Sequence, residues 1–147
     1  MDPIPSMHSV HLKGKLVKGR GEGAGFTEVD WVKKSFTRLL GFTPFPGTLN
    51  LKFDLSEATE GLRTIREAEG LAMPPPEGSG FCPAKCFRGR LGGAIAAGLV
   101  IPEVEGYYED VLEILAPVNV RKAMRVTEGD VLEVEIYLDA GSTQGEV

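Results

Sequence analysis

Near the end of the chain Leu132, Val134, Ile136 and Leu138 alternate with Glu133, Glu135 and Tyr137. That period of two predicts a strand over residues 131–138 with one buried face. Residues 48–53 alternate in the same way and predict another. Residues 10–18 mix Val, Leu and Lys and read as a first strand. Residues 81–87 and 95–101 read as two strands around a hairpin at Arg88-Gly89-Arg90. Residues 111–115 form an apolar strand broken only by Glu113. A different period follows Asp30, a candidate N-cap: Val32, Phe36, Leu39 and Leu40 fall on one helical face, and Gly41 can close that helix. Residues 56–71 also read as helical, with Leu62 and Ile65 on one side and Gly61 and Gly70 weakening the pattern. A short helix starting at Pro117 carries Val120 and Met124, and Glu128-Gly129-Asp130 marks a turn. Residues 19–25, 74–80 and 102–108 are irregular by composition. About six short strands with two or three helices between them do not alternate regularly enough for a doubly wound sheet. A mainly β, six-stranded closed barrel with inserted short helices is expected, because closure removes exposed strand edges. It would occupy residues 10–139 as a single domain, between a tail at 1–9 and a loose end from 140.

The 147 residues, 42% hydrophobic and 25% charged, suffice for one core without disulfides or a structural metal. A formal net charge of -5 argues against a nucleic-acid partner, whose binding surface is usually basic. No apolar run approaches a membrane span, and residues 1–9 lack the layout of a signal peptide. A cytoplasmic protein without a membrane partner is expected, and a monomer. Cys82 and Cys86 flank Pro83-Ala84-Lys85. On an extended strand they would sit roughly 13 Å apart, beyond the ~7 Å that a disulfide tolerates. Two reduced, mostly buried thiols are expected.

Four segments could carry chemistry. In Gly41-Phe42-Thr43-Pro44-Phe45-Pro46-Gly47-Thr48-Leu49-Asn50, two prolines and Gly47 restrict the backbone just before a strand. Thr48 and Asn50 then share one strand face. Their neutral oxygens could hold a hard cation or a phosphate, or could simply form the polar face of an ordinary strand. In residues 19–25 the alternating glycines could cradle a phosphate, with Lys15, Lys18 and Arg20 beside them, or form a mobile hairpin loop. No formal nucleotide-binding glycine motif is met. Glu113, among apolar neighbours, either faces solvent on a barrel's outer side or accepts from a substrate hydroxyl. Asn119, Val120 and Arg121 follow Pro117 at a helix start, where backbone N–H groups favour anions; the alternative is a plain surface arginine.

Taken together, these segments resemble one family, the archaeal-type CTP-dependent riboflavin kinases. The resemblance rests on Gly19-Arg20-Gly21-Glu22-Gly23, on the run from Leu40 to Asn50, and on Cys82-Pro83-Ala84-Lys85. It continues through Asp110-Val111-Leu112-Glu113-Ile114-Leu115-Ala116-Pro117-Val118-Asn119-Val120-Arg121. It spans roughly residues 12–138, poorly over 56–80. The resemblance implies a six-stranded cradle-loop barrel that transfers the γ-phosphoryl of CTP to the riboflavin 5′-hydroxyl, giving FMN and CDP. It implies that Arg20, Gly21, Glu22, Gly23, Ala24 and Gly25 wrap the nucleotide phosphates, and that Val118, Asn119, Val120 and Arg121 complete the cytidine site. It also implies that Thr48 and Asn50 bind Mg²⁺ and that Glu113 contacts the ribityl end of the flavin, where it can orient the hydroxyl or accept its proton. Glu105 stands where the family usually carries a flavin-contacting threonine. The alternative function is a non-catalytic flavin- or nucleotide-binding module on the same barrel.

Overall fold

The computed structural model describes residues 9–19, 27–103 and 110–138. The expected tail at 1–9, apart from Ser9, and the end from 139 lie outside these residues, as do Arg20 to Gly25 and Glu105. The elements run β1 (Ser9–Val17), α1 (Asp30–Leu40), β2 (Leu49–Lys52), α2 (Leu55–Glu67), β3 (Leu71–Met73), β4 (Ala84–Leu91), β5 (Ile95–Pro102), β6 (Val111–Leu115), α3 (Val120–Met124) and β7 (Val131–Tyr137). All strand pairings are antiparallel, in the order β3-β4-β5-β6-β2-β1-β7, and a further pairing of β4 with β7 closes the ring. The result is the expected six-stranded barrel, with β3 added outside it.

The alternating residues decide what fills the barrel. Leu16, Leu51, Phe87, Leu99, Leu112 and Ile136 are fully buried and meet in one cluster. Helix α2 adds Ala58, Leu62 and Ile65 to that cluster. A second cluster lies on the outer face, where Val32, Phe36 and Leu40 of α1 cover Met73, Ala84, Cys86, Val100 and Leu115. Removing that apolar stripe from water is the main reason α1 holds its place, at ~25 cal/mol for each Å² covered.

Several boundaries differ from the sequence reading. Arg88-Gly89-Arg90 is not a hairpin: β4 continues to Leu91 and the turn is at residues 92–94. Gly89 serves closure instead, since a Cβ there would lie 2.3 Å from the Glu135 carbonyl oxygen of β7. Residues 81–83 precede the strand. Asp30 is the first helical residue of α1 and the cap position is Val29, which makes no side-chain cap bond. Helix α2 starts one residue earlier than expected, because Asp54 accepts from the Ser56 N–H at 3.0 Å. It ends at Glu67 rather than reaching Leu71, which instead opens β3. The backbone turns extended at Ala68, and the Lys85 ammonium caps this end by donating to the carbonyls of Arg66 and Ala68. Helix α3 begins at Val120 behind an Asn119 cap, not at Pro117. Ser9 already belongs to β1. Among the described residues no helix is long and apolar enough to cross a membrane.

Both cysteines are free, but only Cys86 is buried and Cys82 is exposed. Burial pushes the Cys86 thiol up to about 12, so it holds its proton near neutral pH and is a poor nucleophile. A thiol-reactive dye at pH 8 is expected to label one cysteine per folded chain and the second only after denaturation. Rapid labelling of both in the native protein would contradict this burial.

Candidate functional site

The restricted loop between α1 and β2 is fastened at three points. Gly41 ends α1 with φ 84°, and the Arg88 Nε–H of β4 donates to the Leu39 carbonyl at 3.0 Å just before it. Further on, the Phe45 N–H donates to the Ala116 carbonyl at 2.7 Å, docking the loop on the end of β6. Gly47 sits at φ 103°, where any side chain would be strained, and its N–H donates to the Thr27 hydroxyl at 2.9 Å. Thr27 is only 2% exposed. Sequence reasoning missed both Thr27 and Arg88, since neither bond joins close neighbours along the chain.

This mount delivers Thr48 to the start of β2. Leu49 and Leu51 point into the barrel, so Asn50 turns to the outer face. Glu113 of β6 lies directly opposite Asn50 in the antiparallel register, and the Thr48 Oγ1–H donates to Glu113 Oε1 at 3.3 Å. All three side chains are half-buried. Three oxygen-bearing groups thus converge on one outer patch beside α1.

Gly19 closes that patch on the β1 side. A Cβ on Gly19 would fall 2.2 Å from Asn50 Nδ2, so the Asn50 amide occupies the space that a side chain there would need. Gly19→Ala is expected to displace that amide. Its side-chain NH₂ resonances should move in a ¹⁵N–¹H spectrum while the melting temperature changes little; unmoved resonances would refute the contact.

The residues from Pro117 onward reach the same neighbourhood. A cavity of about 130 Å³ is lined by Phe45, Pro46, Gly47, Thr48 and Leu49 on one side and by Ile114, Ala116, Val118, Asn119, Val120 and Arg121 on the other. Phe45 and Val118 are exposed. Val120 is buried in the barrel cluster, so only its backbone can face a ligand. Asn119 Oδ1 accepts from the Lys122 N–H at 3.2 Å, which ties up one lone pair of its amide oxygen. Arg121 lies 4.0 Å from Glu128, with both groups largely exposed. Such a pair adds little to stability, so the guanidinium can exchange partners.

Among the described residues no cluster of three His, Cys, Asp or Glu side chains could hold a metal ion. The donors at the patch are instead a hydroxyl, an amide oxygen and one carboxylate, a set that suits a hard cation whose remaining ligands come from water and phosphate. A larger cavity of about 410 Å³ is lined by other residues, among them His11, Lys13, Asp54, Glu57, Glu133 and Glu135. Two of its basic groups already face carboxylates, His11 with Glu135 at 3.2 Å and Lys13 with Glu133 at 3.7 Å.

The family model of the CTP-dependent riboflavin kinases, described as "Domain of unknown function DUF120", matches residues 16–136. A riboflavin kinase of Pyrobaculum arsenaticum is 37% identical over 132 residues, covering 88% of this chain and 62% of its own length. One of Methanoregula boonei is 36% identical over 133 residues, covering 87% and 58%. One of Saccharolobus solfataricus is 29% identical over 139 residues, covering 93% and 79%. The chain spans about three fifths of the length of the first of these curated relatives.

Proposed function

Since the chain belongs to the CTP-dependent riboflavin kinase family, we propose that it transfers a phosphoryl group from a nucleoside triphosphate, CTP, to the 5′-hydroxyl of riboflavin, giving FMN and CDP. The observation that carries this reading is the convergence of Thr48, Asn50 and Glu113 on one patch beside the cavity that the 45–49 and 118–121 segments share.

Phosphoryl transfer asks a protein mainly for positioning and charge neutralisation. Thr48 and Asn50 would hold a divalent cation, Mg²⁺, through neutral oxygens. Bound there, the cation would supply charge neutralisation for the phosphates. The protein ligands can be neutral because a triphosphate brings the negative charge itself. Val118, Asn119, Val120 and Arg121 would border the nucleotide, largely through backbone groups, with Arg121 free to turn from Glu128 to a phosphate. Arg20, Gly21, Glu22, Gly23, Ala24 and Gly25 would cradle the phosphates. Glu113 would accept from the flavin 5′-hydroxyl and orient it for attack, taking its proton as the new bond forms. Glu105 would border the flavin, in the place of the family's threonine. The tight mounting of the loop matters because a misplacement of about 1 Å can cost a hundredfold in rate.

The test is incubation of the chain with riboflavin, a divalent cation and CTP, ATP or GTP in turn, with FMN followed by chromatography. FMN is expected with CTP and much less with the purine nucleotides. No FMN with any nucleotide, while riboflavin still binds, would overturn the kinase reading and leave a flavin-binding module. Glu113→Gln is expected to reduce turnover by two to four powers of ten, roughly the worth of one acid–base group. Full turnover in that variant would remove the proton-accepting role.

A further inference from the structure

The chemistry of one hydroxyl leads further. A threonine hydroxyl has one proton and two lone pairs. Thr48 spends its proton on Glu113 Oε1, at 3.3 Å. Whatever else meets that oxygen must therefore approach a lone pair, which suits a cation and not an anionic oxygen that needs a donor. The carboxylate 3.3 Å away also repels a phosphate oxygen placed directly on Thr48. At Thr48 the folded arrangement favours the cation.

The same bond orients the ligand. Thr48 precedes the first residue of β2, so strand pairing does not hold its side chain. Glu113 is held: β6 pairs with β2 on one side, where Asn50 is its partner, and with β5 on the other, where Val100 is. Groups that hydrogen-bond a metal ligand from behind fix its rotamer and raise its donor strength, and losing them typically weakens metal binding ten- to a hundredfold. The separation is longer than the usual ~2.7 Å for such a bond, so it has room to shorten when the hydroxyl is loaded.

We infer that Glu113 is a positioning residue for the cation ligand Thr48, so that affinity for the nucleotide-bound divalent cation depends on Glu113 even when no flavin is present. One carboxylate then touches the cation ligand on one side and the acceptor hydroxyl on the other, coupling the two halves of the site. This rests on the proposed cation role of Thr48.

The experiment measures Mn²⁺ binding to the chain in the presence of CDP and without flavin, by the electron paramagnetic resonance of free Mn²⁺. Glu113→Ala is expected to weaken Mn²⁺ binding about tenfold. Glu113→Gln keeps a carbonyl oxygen to accept from Thr48 and should recover to within about threefold of the parent. In a Thr48→Val background Glu113→Ala should add less than about twofold, because coupled residues do not act additively. Thermal melts of all variants identify any that fail to fold, and the Glu113→Gln comparison serves if Glu113→Ala is among them. Unchanged Mn²⁺ affinity in Glu113→Ala, with a loss in Thr48→Val, would overturn the positioning role and leave the cation site standing. Equal losses in Glu113→Gln and Glu113→Ala would overturn it too, since charge and not the hydrogen bond would be responsible. Unchanged affinity in Thr48→Val would instead remove the cation reading beneath it.

Discussion

Replacing Thr48 by valine and Asn50 by leucine together is expected to lower FMN formation by about three powers of ten, with the barrel still folded. Both substitutions conserve shape closely and remove the Thr48 hydroxyl and the Asn50 amide from the outer patch. Charge neutralisation by a bound metal contributes several kcal/mol at a transition state, and each 1.36 kcal/mol is tenfold in rate. The barrel should tolerate the change because Leu49 and Leu51, which fill its interior, are untouched. Losing the Thr48 bond also leaves Glu113 facing a methyl group, at an expected cost of ~1 kcal/mol for a half-buried group that water can still reach. The measurement is turnover under saturating riboflavin and CTP, beside a thermal melt and riboflavin affinity. Full activity would remove the metal assignment. Lost activity together with a collapsed melt would point to folding, and each single substitution would then be compared at a temperature where it remains folded.

Gly89→Ala is expected to have the largest effect on stability of any single added methyl group in the ring. Gly89 pairs with Ala97 of β5 and with Ile136 of β7, at the seam where the sheet closes on itself. The added carbon would fall 2.3 Å from the Glu135 carbonyl oxygen, far inside contact distance. The atom in the way is backbone, and it is held by the pairing of β7 with β1, so it cannot swing aside as a side-chain end would. Overpacking of this kind costs about 1–3 kcal/mol, and at the seam the upper part of that range is expected. For a chain of this size that lowers the melting temperature by roughly 5–10 °C. Scanning calorimetry of the two proteins measures it. A loss under about 0.5 kcal/mol would show that β4 and β7 separate easily and that the ring is only loosely shut. Opening the seam would expose unpaired strand edges, so a rise in aggregation should accompany the loss.

Strands β2 and β7 were legible because alternation is a property of neighbouring residues. Leu132, Val134 and Ile136 declare one face of β7 whatever lies opposite, and Val32, Phe36 and Leu40 declare the stripe of α1 in the same way. Gly89 shows where such reading fails. An Arg-Gly-Arg triplet looks like a turn from its local composition, but the glycine is demanded by a carbonyl of β7 that comes 46 positions later in the chain. Residues 71–73 failed for a related reason. Helical propensity alone would carry α2 up to Leu71, but the backbone turns extended at Ala68, the Lys85 ammonium of β4 takes up the carbonyls of Arg66 and Ala68, and residues 71–73 pair with β4 as β3.

The candidate site divides along the same line. Thr48 and Asn50 share a face because side chains on an extended chain repeat every two residues, and that much holds before any folding. That Glu113 is their neighbour, 65 residues from Thr48, depends on β6 lying beside β2. Thr27 under Gly47 depends likewise on the route of the chain into α1. Periodicity specifies which side chains turn the same way, because it follows from backbone geometry over a few residues. Strand pairing specifies which oxygens meet, because it follows from burying every apolar face of the ring at once. The direction of the Thr48 proton comes from that second kind of order.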